Sequence, residues 1–126
     1  MVFIQSFAFT TPNGITSDGK YLWVTQRQID PALANVIQLD KFGNIIQTID
    51  VSAIDTRPEG IITDGKYLWW YGETNDSIYQ MDKFGNLIST INVGAIDTGV
   101  FGIASDGKYL WWCGRENNII VQWSKI

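Results

Sequence analysis

Asn13, Glu59 and Phe101 occupy one recurring position in this sequence, each immediately before a Gly-Ile pair, at 14–15, 60–61 and 102–103. An amide, a carboxylate and an aromatic ring in register form a candidate ligand-binding set. The oxygens of Asn13 and Glu59 are hard donors of the kind Ca2+ or Mg2+ takes. A second set lies in the matching runs Trp70-Tyr71-Gly72-Glu73 and Trp112-Cys113-Gly114-Arg115-Glu116, to which Val24 through Arg27 correspond. Apolar packing is the favoured reading of Trp70 and Trp112, but indoles flanked by Glu and Arg also suit a carbohydrate platform. Asp18, Asp64 and Asp106 recur in identical settings, which points to turn capping rather than catalysis. Cys113 has no base nearby and reads as a small packed thiol. The sequence contains no histidine, so the commonest general base and transition-metal ligand are both missing. No catalytic constellation emerges, and the expectation is a protein that is not an enzyme.

These residues are set out by internal repetition. Gly14-Ile15-Thr16-Ser17-Asp18-Gly19-Lys20-Tyr21-Leu22-Trp23 returns at Gly60–Trp69 and again at Gly102–Trp111. Gln38-Leu39-Asp40-Lys41-Phe42-Gly43-Asn44 returns 42 residues later, and Gln122 begins a partial third copy. Ile45–Val51 matches Leu87–Val93 and, one period earlier, Phe3–Phe9. The segments are short, rich in Ile, Val, Thr, Tyr and Trp, and punctuated by Asp-Gly and Gly-Asn. No stretch has apolar residues at helical spacing over three turns. Each repeat therefore reads as four β-strands. Strands A and B are joined by an Asp-Gly-Lys turn, and C and D by a Lys-Phe-Gly-Asn turn. Strand B is apolar at successive positions, which predicts burial on both faces.

Thr11-Pro12-Asn13-Gly14-Ile15 and Arg57-Pro58-Glu59-Gly60-Ile61, each followed by Asp-Gly-x-x-Leu-Trp, resemble the NHL and YVTN-type propeller repeats. The resemblance covers the whole chain and implies an all-β propeller with three four-stranded blades; it specifies no activity. In such a blade Asn13, Glu59 and Phe101 rim the mouth of a central channel. Length and repetition also resemble a protein of a spherical virus of a hyperthermophilic archaeon, which implies a viral protein located in the host cell or virion.

Three blades cannot close a ring, for which 4–8 are usual. The last residue aligns inside the C–D turn and the first continues the same turn. Strand D at Phe3–Phe9 thus has no blade of its own, and the third blade lacks strand D. The expectation is a six-bladed homodimer in which Phe3–Phe9 pairs with Asn118–Trp123 of the other copy. An open monomer that needs an unrelated partner is the alternative.

Net charge is −4 without a basic cluster, so nucleic acid is not an expected partner. No apolar run approaches the ~20 residues of a membrane span. The N-terminus has no signal-peptide pattern, and the single cysteine excludes an internal disulfide, so a cytoplasmic protein is expected. Sorted by rim, six lysines and five aspartates fall on the tight-turn side, and three arginines and eight acids on the loop side. Variable loops on a rigid frame usually carry function. The loop between strands B and C of the first repeat, Gln26–Asn35, is four residues longer than its counterparts. Tolerated length variation is the favoured reading; the functional one is a protrusion carrying Arg27, Ile29, Asp30 and Pro31 that grips a partner. The functional expectation is a binding scaffold whose acidic loop face and channel mouth take a protein or polymeric partner. Two alternatives follow. One is a lectin using Trp70, Tyr71, Glu73, Trp112, Arg115 and Glu116; the other is a hydrolase or lyase with Ca2+ or Mg2+ at Glu59.

Overall fold

A computed structural model describes residues 1–125, and among them every regular element is a β-strand. The first sheet runs β1 (Pro12–Ser17), β2 (Leu22–Gln28), β3 (Leu33–Leu39) and β4 (Ile45–Asp50), in that spatial order and antiparallel throughout. The second repeats the order with β5 (Pro58–Thr63), β6 (Leu68–Gly72), β7 (Ser77–Met81) and β8 (Leu87–Asn92). The third has β9 (Val100–Ser105), β10 (Tyr109–Gly114) and β11 (Ile119–Ser124), with β11 at its edge. Among the described residues no helix is long and apolar enough to cross a membrane.

The turns form where the repeats predict them. In the first, Asp18 Oδ1 accepts from Lys20 N at 2.9 Å and Tyr21 N at 2.7 Å, while Gly19 takes φ 93°. Asp64 with Gly65 and Asp106 with Gly107 do the same. The other carboxylate oxygen accepts the indole Nε1 of Trp23, Trp69 or Trp111 and so ties the turn to strand B.

The sheets pack face to face through strand B and strand C. Trp23, Val36 and Val51 of the first sheet meet Leu68, Trp70, Tyr79 and Met81 of the second. Trp69, Tyr71, Ile78 and Val93 of the second meet Val100, Leu110 and Trp112 of the third. All five residues of β6 are buried, as expected of a strand between two neighbours. Burying one such large side chain contributes about 1.5–3 kcal/mol, so these seams dominate the fold's stability. Each seam also carries one lysine–aspartate pair, Lys83 to Asp18 at 2.9 Å and Lys125 to Asp64 at 3.3 Å.

In the single chain Phe3–Phe9 forms no strand, and β11 pairs with β10 alone. The structure departs from expectation in two places. The segment 26–35 is largely hairpin, since the ladder continues through Gln26↔Asn35, Arg27↔Ala34 and Gln28↔Leu33. Cys113 is exposed rather than packed, because its side of the third sheet has no neighbour.

Candidate functional site

The ladders between β1 and β2 and between β5 and β6 are irregular from Pro12 to Ile15 and from Pro58 to Ile61. Such irregularities re-aim side chains at the rims of β structures, and here they free Asn13 and Glu59. The two innermost strands then come close. A Cβ added at Gly14 would stand 2.6 Å from the Glu59 carbonyl oxygen, so only glycine fits there. Thr25 locks the contact, accepting from Gly14 N at 2.7 Å and donating to Glu59 O.

The Glu59 carboxylate is held from both sides. Asn13 Nδ2 donates to its Oε2, and Arg27 Nη1 donates to its Oε1. Arg27 also lies 3.3 Å from Glu73 Oε2, which Arg57 Nη2 approaches to 3.2 Å. Burial, and next the neighbouring Glu73 carboxylate, push the Glu59 carboxyl above its usual range, with Asn13 and Arg27 opposing. On the third sheet the Arg115 guanidinium stacks over the Phe101 ring, 4.8 Å from its centroid. Glu59, Tyr71, Glu73, Phe101 and Arg115 bound a cleft of about 200 Å3. Asn13, Glu59 and Phe101 are thus brought together at one rim, and Arg27 and Arg115 turn toward them.

Other candidates lie elsewhere. Trp70 and Trp112 are buried in the seams, at 0% and 1% exposure, so neither offers a face to a sugar. Trp70 packs on Tyr79 instead, with ring centroids 4.6 Å apart, and both indole Nε1 atoms are without hydrogen-bond partners. Tyr71 is also buried, beside Asp76. Glu116 pairs with Arg115 at 3.7 Å on the exposed rim. The cation reading of Glu59 does not fit the donor set. Both carboxylate oxygens are already engaged, by Asn13 Nδ2 and by the Arg27 guanidinium, whose charge opposes a cation there. Among the described residues no three Asp, Glu, Cys or His side chains gather as a metal cluster.

The rim is also less acidic on its surface than its composition implies. Asp55 and Asp97 are buried, at 2% and 1% exposure. Asp55 accepts from Arg57 N, Thr74 N, Asn75 N and Tyr79 OH, and Asp97 from Gly99 N, Glu116 N and Asn117 N. The repeated Ala-Ile-Asp-Thr at 53–56 and 95–98 was the sequence signal for this pair.

The fold can be compared directly with solved structures. Over 91% of its length the chain superposes on a catalytically inactive histidine-to-alanine variant of virginiamycin B lyase from Staphylococcus aureus bound to quinupristin, with TM-score 0.70 and 21% identity. The three sheets are β-propeller blades. A selenomethionine form of the same lyase matches at TM-score 0.62 and 22% identity over 91% of the chain. BamB from Moraxella catarrhalis matches at TM-score 0.64 and 12% identity over 88%. The blades span only 38% and 42% of the two lyase chains and 32% of BamB. No family model and no curated protein matches the sequence, and none of these matches points to a viral relative. The expectation of a non-enzyme is corrected here. Virginiamycin B lyase is an enzyme, so blades of this shape are no argument against catalysis. At such identities the likeness concerns the fold alone.

Proposed function

We propose that this chain is a binding propeller segment that takes a protein or other polymeric partner across its loop rim, centred on the channel mouth. The carrying observation is the preformed cleft in which Glu59, fixed by Asn13 and Arg27, faces Phe101 and Arg115. Arginine and aromatic side chains carry most of the energy of protein interfaces, and an exposed Arg–Phe stack beside fixed carboxylates supplies both types. Phe101 is 69% exposed, a cost in water that a partner would remove. Solved propellers of this shape include BamB and a chain from a nidogen/laminin complex, the latter with TM-score 0.52 and 17% identity. The test is affinity capture with the 126-residue chain and with a Phe101→Ala/Arg115→Ala pair, followed by titration of each purified candidate. A genuine partner should bind the pair about thirtyfold more weakly. If everything captured by the wild type binds the variant equally well, the mouth is not the site.

A second reading, acid–base chemistry at the mouth, is favoured by one observation, the two carboxylates of Glu59 and Glu73 gathered on the Arg27 guanidinium at the cleft. The lyase's own chemistry is not carried over. The matched variant lost activity with a histidine, and these 126 residues contain none.

A further inference from the structure

The contacts that join one blade to the next recur with the sequence period, and each has one unmatched half at either end of the chain. On the side facing the following blade, the strand C position is Val36 in the first blade and Ile78 in the second, at 0% and 1% exposure. The third blade places Ile120 there, at 76% exposure. On strand B the same side carries Thr25, Tyr71 and Cys113, of which only Cys113 is exposed. On the opposite side, Ile61 is 4% exposed, whereas its first-blade counterpart Ile15 is 65% exposed. The ion pairs follow the same rule. Asp18 and Asp64 each meet a lysine of the next blade. Among the described residues no lysine comes within ion-pair distance of Asp106, and Lys41, the counterpart of Lys83 and Lys125, forms no ion pair.

The N-terminal segment completes the pattern. In the interior seam Gln47 Nε2 donates to Lys83 O, and a Cβ on Gly85 would strike Ile49. One period earlier Gln5 Nε2 donates to Lys41 O, and a Cβ on Gly43 would strike Phe7. Val51 packs in the first seam, and its counterpart Phe9 packs on Val24, Ile37 and Leu39. Gln5, Phe7 and Phe9 therefore lie against the first blade as the outer strand of a preceding blade would, although no other strand of that blade is present.

We propose that a second copy of this chain supplies that blade. Phe3–Phe9 of one copy adds to β11 of the other, Lys41 pairs with Asp106, and Ile120 and Cys113 are covered by the first blade's Ile15 side. Two copies of these three blades give six, within the usual range of 4–8. The inference goes beyond the mouth's ligand but also completes the mouth. At each outer seam Phe101 and Arg115 of one copy meet Asn13 and Arg27 of the other, so that part of the rim does not exist in a single chain.

Sedimentation velocity of the 126-residue chain at micromolar concentration should give twice the 14.2-kDa mass. Ile120→Asp should give a single chain with unchanged strand content by circular dichroism, because Ile120 is exposed in the isolated chain. Cys113 should be alkylated at least about tenfold faster in that variant than in the wild type, since closing the seam buries the thiol. Lys41→Glu should weaken association a few-fold, the scale of a surface pair. A wild-type mass of one chain, or of three or more, overturns the proposal. A dimer that survives Ile120→Asp with Cys113 still reactive overturns it too, since the copies would then be joined elsewhere.

Discussion

The two rims meet the same need, closing the ends of each sheet, by different means. At the tight-turn rim all three blades use one solution: an aspartate that caps its turn and accepts the indole, with a lysine of the following blade added at both seams. At the loop rim the second and third blades seat Asp55 and Asp97 beneath Gly72 and Gly114. The first blade places Gln26 where those glycines stand, and Gln26 bonds Asn35 and the Thr10 carbonyl instead. One side chain that serves a turn, an indole and a seam at once cannot change without breaking all three. A loop whose donors come from several residues can be rebuilt in one blade while the others are kept. That freedom is what lets Arg27 leave its own blade and reach Glu59 and Glu73.

The same substitution should therefore cost unequal amounts at the two rims. A Cβ at Gly72 would lie 2.3 Å from Asp55 Oδ2, and that carboxylate is pinned by four donors. Gly72→Ala should lose about 3 kcal/mol or more in denaturant melts. Gly65 has open space around it but sits at φ 94°, so Gly65→Ala should lose only the left-handed penalty of about 1–2 kcal/mol. Equal losses would mean that the loop-rim aspartates relax freely and that the contrast drawn here is wrong.

Acid should separate the rims next. Burial alone would raise Asp18 and Asp64, but the turn N–H groups, the next blade's lysine and, at Asp18, the Trp23 indole outweigh it and hold both carboxyls below their usual range. Asp106, with donors from Tyr109 N, Trp111 and Lys108 N, is held at about 2. A carboxyl depressed in the fold contributes stability above its ordinary 3.8 and loses it as pH falls through the folded value. The Asp106 contribution should be lost between pH about 4 and about 2, and Asp64→Asn should cost about 1–2 kcal/mol at pH 7 and progressively less as acid protonates the carboxylate. An equal cost at both pH values would place the aspartate's worth in its shape rather than its charge.

Much of the tight-turn rim was legible because Asp-Gly-Lys and Lys-Phe-Gly-Asn state their geometry locally, and recurrence fixed the period. The loop rim was not, because Asp55 is satisfied by backbone groups up to 20 residues away, which no local pattern encodes. Trp70 and Trp112 show the same limit. Their place in strand B favoured core, yet Glu73 and Arg115 beside them kept a platform open, and only the alternation of strand faces, seen once the sheets stack, turns them inward. Asn13, Glu59 and Phe101 could be placed at one rim from the repeat alone. The reach of Arg27 across the seam could not.

The smallest effect should have the opposite sign. Glu59 is raised above its ordinary 4.5 by burial and then by Glu73, despite Arg27 and Asn13. A raised carboxyl stabilises the fold in its protonated form, so its contribution is full below that value and is lost as pH rises through the folded one. Wherever Glu59 is ionised, its burial beside Glu73 makes the charge a net cost. Glu59→Gln keeps the shape, can keep the Asn13 contact and removes the charge facing Glu73. It should raise stability at pH 7 by less than about 1 kcal/mol, and the gain should shrink as pH falls. Asp64→Asn under the same conditions should lower it. Residues kept at a cost to folding are those a site needs for another reason, whereas a carboxylate that only holds blades together should lose stability when neutralised. If Glu59→Gln destabilises the chain at pH 7 as Asp64→Asn does, the Arg27 pair is a blade clamp, and the channel mouth is another part of the scaffold rather than its working surface.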